Sequence, residues 1–361
     1  MKSALAETLL AKIMEWTQEE VTKEIPFLIA VANFKYNEYQ QFSPGIRFIE
    51  SLAQWLIQFE TKEEKDLAYA FVKNQLIFLS NNQISHLVSL SYSTIIEPII
   101  IKKVASKINV PEYLISKTTS SREYQKVLRQ SLFIGLTDGS RIDQLRRYAQ
   151  LNNEQVLTTY YIDNEKIADL QTELQASCQE DKFTTIFLID DFTASGKSYA
   201  RIEDGKEKGK ILKLLKKVYD SEDALSNIID AEQLTFHIVF YLATECAINN
   251  IFKAIEEYSK KNNNIISWTI HAVQIIPDNI KEEFLENKDF FAFIKKYYDD
   301  DINDKHYQKG NVNNWPFLGF GECGLPIVLH HNTPNNSLPI LWFPEDLKVR
   351  GLFPRITRHK E

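Results

Sequence analysis

The hydrophobic pattern changes character near residue 130. Upstream, apolar positions recur at helical spacing, as in Ala68, Phe71, Val72, Leu76 and Leu79, a series preceded by a capping box from Thr61 to Glu64. No glycine occurs between Gly45 and Gly135, so residues 1 to about 125 are predicted to be α-helical. Downstream come short apolar runs at 132–136, 185–189, 235–242 and 267–276, which read as strands. Between the second and third lies a basic amphipathic stretch of helical length, 211–217, which implies crossover connections and a parallel sheet. Proline is absent from 112 to 276, as buried parallel strands require. The charged tract 202–210 reads as a solvated loop or the start of a helix. Six of the eleven prolines follow residue 315, with Gly319, Gly321 and Gly324 among them, so the last segment is built from turns and short strands. The predicted organisation is a helical N-terminal domain (1–125), a Rossmann-like α/β core with a parallel sheet (126–280) and a C-terminal cap or hood (281–361).

Composition narrows the class. With 361 residues, 44% of them hydrophobic, the chain has material for a core and for two or three structural units. A net charge of −7 gives no reason to expect a large phosphate-tracking surface, so no strong direct nucleic-acid binding is expected. Cys178, Cys246 and Cys323 lie far apart without CxxC spacing, which argues against a zinc cage or a disulfide framework and fits a reducing compartment. No apolar stretch is read as approaching the ~18 residues of a membrane span, and Glu7 interrupts any signal-peptide core. The expected location is the cytoplasm, with no membrane partner.

The strongest chemical signal is the strand 186–189 followed by Asp190, Asp191, Phe192 and the small-residue turn Thr193, Ala194, Ser195, Gly196, Lys197, Ser198. Such a turn can aim successive N–H groups and hydroxyls into one concavity, with the positive end of a following helix expected behind it. Two carboxylates at the strand's C-terminal edge lie where open α/β sheets bind ligands, and carboxylates accept hydrogen bonds from vicinal hydroxyls. Together they suit a ribose 5-phosphate. Gly196-Lys197-Ser198 also matches the end of a P-loop, but the position of that motif's first glycine is Asp191, whose charge would repel the β-phosphate. An aspartate pair at a strand end is shared with receiver-like folds. His237 and His271 fall within strand patterns and read as core residues.

This constellation resembles the type I phosphoribosyltransferases, whose signature is four apolar residues, two acids and a small Thr/Ser/Gly loop. The resemblance implies that Asp190 and Asp191 hold the ribose hydroxyls of phosphoribosyl pyrophosphate and that residues 193–198 hold its 5-phosphate. It also implies that the loop after the first core strand, Thr137, Asp138, Gly139, Ser140 and Arg141, cradles pyrophosphate; read alone, those residues are equally an ordinary turn. Asp190, Asp191 and Arg141 become the expected catalytic residues. Mg2+ is implied as a partner of bound pyrophosphate, with no protein cage for a metal. Residues 160–183, with Lys166, occupy the place of the family's closing loop, or else form a helix and linker. One departure is Ala194, which stands where purine-salvage members carry an aspartate near the base.

In the C-terminal segment, His330, Asn332, Asn335 and Trp342 are base- or acceptor-site candidates, the alternative being an asparagine-rich turn. The run from His331 to Trp342 after a glycine-rich stretch resembles a branch with a helical N-terminal extension, encoded in prokaryotic conflict and antiphage gene clusters, retron systems included. Three functions follow from the resemblance. The first is an antiviral-defence effector that acts at ribose C1 of phosphoribosyl pyrophosphate or a nucleotide. The second is a non-catalytic nucleotide sensor working through the helical domain, and the third a scaffold for a defence protein or retron ribonucleoprotein. Turnover, acceptor and oligomeric state stay open.

Overall fold

The computed structural model describes residues 3–220, 222–262, 266–302, 307 and 315–355. Met1 and Lys2, which enter the signal-peptide reading, lie outside these. Nine strands are found among the described residues: β1 (Ile77–Leu79), β2 (Ser131–Gly135), β3 (Val156–Leu157), β4 (Thr185–Thr193), β5 (Arg201–Glu203), β6 (Lys206–Lys208), β7 (Thr235–Thr244), β8 (Ser267–Ile276) and β9 (Ile327–Leu329).

The chain divides into two compact units: Met1–Gln83 with Asp278–Glu361, and Ile84–Pro277. The boundaries predicted from the sequence lie near 125 and 280. Helices Glu97–Lys107 and Arg122–Arg129 fall with the sheet because Ile100, Val104, Tyr124 and Val127 bury their apolar faces in one cluster with Phe133, Phe187 and Val239.

The second unit is built on a five-stranded parallel sheet in the order β3-β2-β4-β7-β8. All four runs predicted as strands are in it. Because side chains alternate along a strand, Ile186, Leu188, Ile238 and Phe240 join a cluster with Leu170, Leu174, Leu212 and Leu215. Phe187, Ile189, Val239 and Tyr241 join the other, with the helices before β2. Both faces are therefore covered, which explains the near-continuous apolar runs of the central strands. The tract 202–210 is an antiparallel hairpin, β5–β6, with Asp204 and Gly205 at its tip, both at positive φ (53° and 70°). Asp-Gly is the preferred pair for such a two-residue turn.

Helical backbone runs from Asn81 to Lys107 through a π-turn at Tyr92–Ile96. By length and composition this 27-residue helix could cross a membrane, which corrects the expectation that no such stretch exists. Val88, Ile96, Ile100, Ile101 and Val104 are buried in the cluster beneath the sheet.

In the first unit, Thr61 and Glu64 form the anticipated capping box on helix Lys62–Asn74. β1 pairs in parallel with β9, Ile77 opposite Ile327, so the N-terminal helices and the C-terminal segment share a core. Phe353 centres it, with ring contacts to Tyr36, Tyr39, Phe48 and Phe78.

Candidate functional site

β2 and β4 are neighbours in register, Gly135 opposite Ile189. The loop after β2 and the acids closing β4 therefore emerge together at the C-terminal edge of the sheet. Asp190 is fully buried. Its Oδ1 accepts from the Thr137 hydroxyl and from the Asp191 N–H (3.0 Å), and its Oδ2 from the Tyr199 hydroxyl (2.9 Å). Lys210 Nζ stands 3.9 Å from Oδ2 and over the Tyr199 ring. Burial, reinforced by the charge of Asp191, pushes the Asp190 carboxyl up to about 7 against the opposing pull of Thr137, Lys210 and Tyr199. The Tyr199 hydroxyl is in turn driven upward by burial and by Asp190.

Asp191 faces the loop after β2. A Cβ built on Gly139 would lie 2.6 Å from Asp191 Oδ2, so only glycine leaves the carboxylate its place. In the same loop the Gly139 N–H donates to Thr137 Oγ1 (3.2 Å) and the Tyr241 hydroxyl to the Ser140 carbonyl (2.6 Å). Asp138 is exposed, and Arg141 adopts the left-handed region (φ 47°) at the start of helix Ile142–Tyr148.

The turn after β4 is held from behind. Thr244 donates to the Ala194 carbonyl (2.5 Å), Asn250 to the Ser195 carbonyl (3.0 Å) and Arg201 to the Lys197 carbonyl (2.7 Å). Gly196 needs its positive φ (71°), and a Cβ there would sit 2.7 Å from the Ala247 carbonyl oxygen. With the carbonyls turned back, the N–H groups of Ser195, Gly196 and Ser198 meet no acceptor among the described residues, an arrangement that suits an oxyanion. The helix expected directly behind the turn is not there. The β5–β6 hairpin intervenes, and helix Lys210–Tyr219 spends its first N–H groups, those of Lys210 and Ile211, on the carbonyls of Ser198 and Tyr199. The anion-binding capacity of the turn thus comes from its own backbone.

Residues 164–178 form a helix, with Lys166 ion-paired to Glu154. His330, Asn332, Asn335 and Trp342 belong to the first unit. There the His330 N–H donates to the Leu79 carbonyl (2.9 Å), Asn332 Oδ1 accepts from Gln41 (2.9 Å), the Asn335 carbonyl accepts from Phe320 (2.7 Å) and Trp342 Nε1 donates to Ser337 (2.9 Å). Tyr199, Lys210, Tyr241, Thr244 and Asn250 were missed in the sequence. Tyr199 directly follows the turn and Lys210 follows an Asp-Gly hairpin signal; the other three carry no local mark.

The described residues contain no group of three or more His, Cys, Asp or Glu placed to hold a metal ion. Asp191 stands as one carboxylate beside the 137–141 loop, a donor whose chemistry fits an Mg2+ ion carried by a bound pyrophosphate.

A parallel sheet with helices on both faces, and an acid pair between two loops at its C-terminal edge, defines an α/β protein of the phosphoribosyltransferase type. The chain belongs to the PRTase-CE family, a phosphoribosyltransferase-like family whose model matches residues 52–355. No curated protein and no solved structure matches the chain.

Proposed function

We propose that this protein binds phosphoribosyl pyrophosphate, or a nucleotide sharing its ribose 5-phosphate, and acts at ribose C1. The observation that carries this reading is the set of N–H groups at Ser195, Gly196 and Ser198 with no acceptor among the described residues, next to a carboxylate at the same strand end. The 5-phosphate occupies that turn, the sugar hydroxyls lie at the acid-bearing end of β4, and residues 137–141 receive the pyrophosphate with Arg141 as a cationic fork. Asp191 would hold Mg2+, which supplies charge neutralisation on pyrophosphate. In the transfer, an acceptor lone pair forms the new bond to C1 while the bond from C1 to the pyrophosphate oxygen breaks. The electron pair departs with pyrophosphate. Ala194 offers no carboxylate to take the acceptor's proton, which passes to solvent or to the acceptor's own base.

Ala194 also favours a second reading, a sensor that binds the ligand without turnover. Calorimetric titration with phosphoribosyl pyrophosphate and Mg2+, followed by a pyrophosphate-release assay, tests both. Binding with release supports the transferase, binding alone supports the sensor, and absence of binding overturns the site. By the resemblance of its C-terminal segment, we place the activity in the cytoplasm of a prokaryote, in an antiviral defence system with a protein or retron ribonucleoprotein partner.

A further inference from the structure

The two acids are consecutive residues of one strand, so their side chains leave β4 on opposite faces. Asp190 continues the face of Ile186 and Leu188, on which Tyr199 is also buried, and Asp191 continues the face of Phe187, Ile189 and Tyr241. Three donors, the Thr137 hydroxyl, the Asp191 N–H and the Tyr199 hydroxyl, already engage both oxygens of Asp190, and its carboxylate is sealed from solvent. Asp191 instead lies against Gly139.

We propose that the acids have divided roles: Asp190 is a positioning residue that ties the 137–140 loop to the turn ending at Tyr199, and Asp191 alone contacts the sugar. Thr137 brings one loop to Oδ1, Tyr199 brings the other to Oδ2, and the same Tyr199 hydroxyl reaches the Phe192 carbonyl (3.0 Å). One carboxylate therefore fixes the spacing between the proposed pyrophosphate and 5-phosphate cradles. This rests on the reading of the site as a sugar-phosphate pocket.

The substitution Asp190→Asn nearly conserves volume. The amide oxygen it introduces can still accept from Thr137 and from the Asp191 N–H, while the new NH2 group can donate to the Tyr199 oxygen. Asp190→Asn is therefore expected to keep phosphoribosyl pyrophosphate affinity within about threefold, whereas Asp191→Asn loses the about 10- to 100-fold of a charge-assisted hydrogen bond. Asp190→Ala strands the Thr137 hydroxyl and the Asp191 N–H and leaves Tyr199 only the Phe192 carbonyl, so hydrogen exchange at 138–140, 191 and 199 should rise together in that variant and be rescued in Asp190→Asn. Equal affinity losses in the two asparagine variants would overturn the division. So would unchanged exchange in Asp190→Ala, a readout that needs no ligand. If the unaltered protein fails to bind phosphoribosyl pyrophosphate, the sugar-phosphate reading falls, while the exchange pattern still decides whether Asp190 joins the loops.

Discussion

Replacing Gly139 with alanine probes the facing of Asp191 from the loop after β2. The three nearest neighbours of an added Cβ are Asp191 Oδ2, Cγ and Oδ1, at 2.6, 2.9 and 3.1 Å. All belong to one carboxylate. Gly139 does not adopt a positive φ, so the backbone accepts alanine and the perturbation is purely the collision. Overpacking costs about 1–3 kcal/mol, and because the obstructing group is the end of a side chain, the lower value applies. For a unit of this size about 1 kcal/mol corresponds to about 2–4 °C in Tm. Displacing the carboxylate would also remove the sugar contact proposed for it, about 10- to 100-fold in affinity for phosphoribosyl pyrophosphate. Calorimetric and thermal measurements on Gly139→Ala, Asp191→Ala and the double variant close a cycle. In the Asp191→Ala background the collision is gone, so Gly139→Ala should become neutral in both readouts. An undiminished cost of Gly139→Ala in that background would refute the argument.

Gly196→Ala should be harsher, since alanine at positive φ costs about 1–2 kcal/mol and the Ala247 carbonyl it meets is backbone that cannot turn aside, adding about 1–3 kcal/mol; denaturant unfolding measures the loss, and phosphate affinity should fall with it. Two groups give opposing pH dependences. Asp190, raised to about 7 by burial and Asp191, holds a proton in the folded state that the unfolded chain releases near the ordinary carboxyl value of 3.8, so it lowers stability as pH rises through that window. His237, lowered to about 3 by burial and hydrogen-bonded to Thr269 at 2.7 Å, stays neutral where the unfolded chain is protonated below 6.5, so it raises stability as pH rises from 3 to 6.5. Unfolding free energies between pH 4 and 6.5 should climb more steeply in Asp190→Asn and less steeply in His237→Gln than in the unaltered protein, by up to about 1.4 kcal/mol per pH unit; parallel curves would rule this out. Thr61→Ala removes the capping box of helix Lys62–Asn74 and should cost about 1 kcal/mol by the same unfolding assay.

The fold was legible where periodicity and composition act locally. Four apolar runs free of proline gave the parallel strands, and Thr61 with Glu64 gave a helix start. What escaped depends on partners distant in sequence: β1 meets β9 across some 250 residues, since Ile77 pairs with Ile327, and nothing local in either three-residue run marks it as a strand. The hairpin was legible in principle through Asp204-Gly205, but its charge density masked a strand signal that ordinarily rests on apolar alternation. For the proposed site, the motif marks a place and blurs the roles. Read as a signature, Asp190 and Asp191 form a pair; read as strand residues, they must diverge, because a period of two sends neighbours to opposite faces. Which acid turns inward could not be deduced from the motif, since that depends on Thr137 and Tyr199 arriving from two other segments. A buried carboxylate is retained only where several donors satisfy it, and here two of those donors, Thr137 and Tyr199, come from the two segments that the proposed ligand would bridge. The first acid is thus best understood as part of the frame, and the chemistry proposed for this edge of the sheet turns on the second.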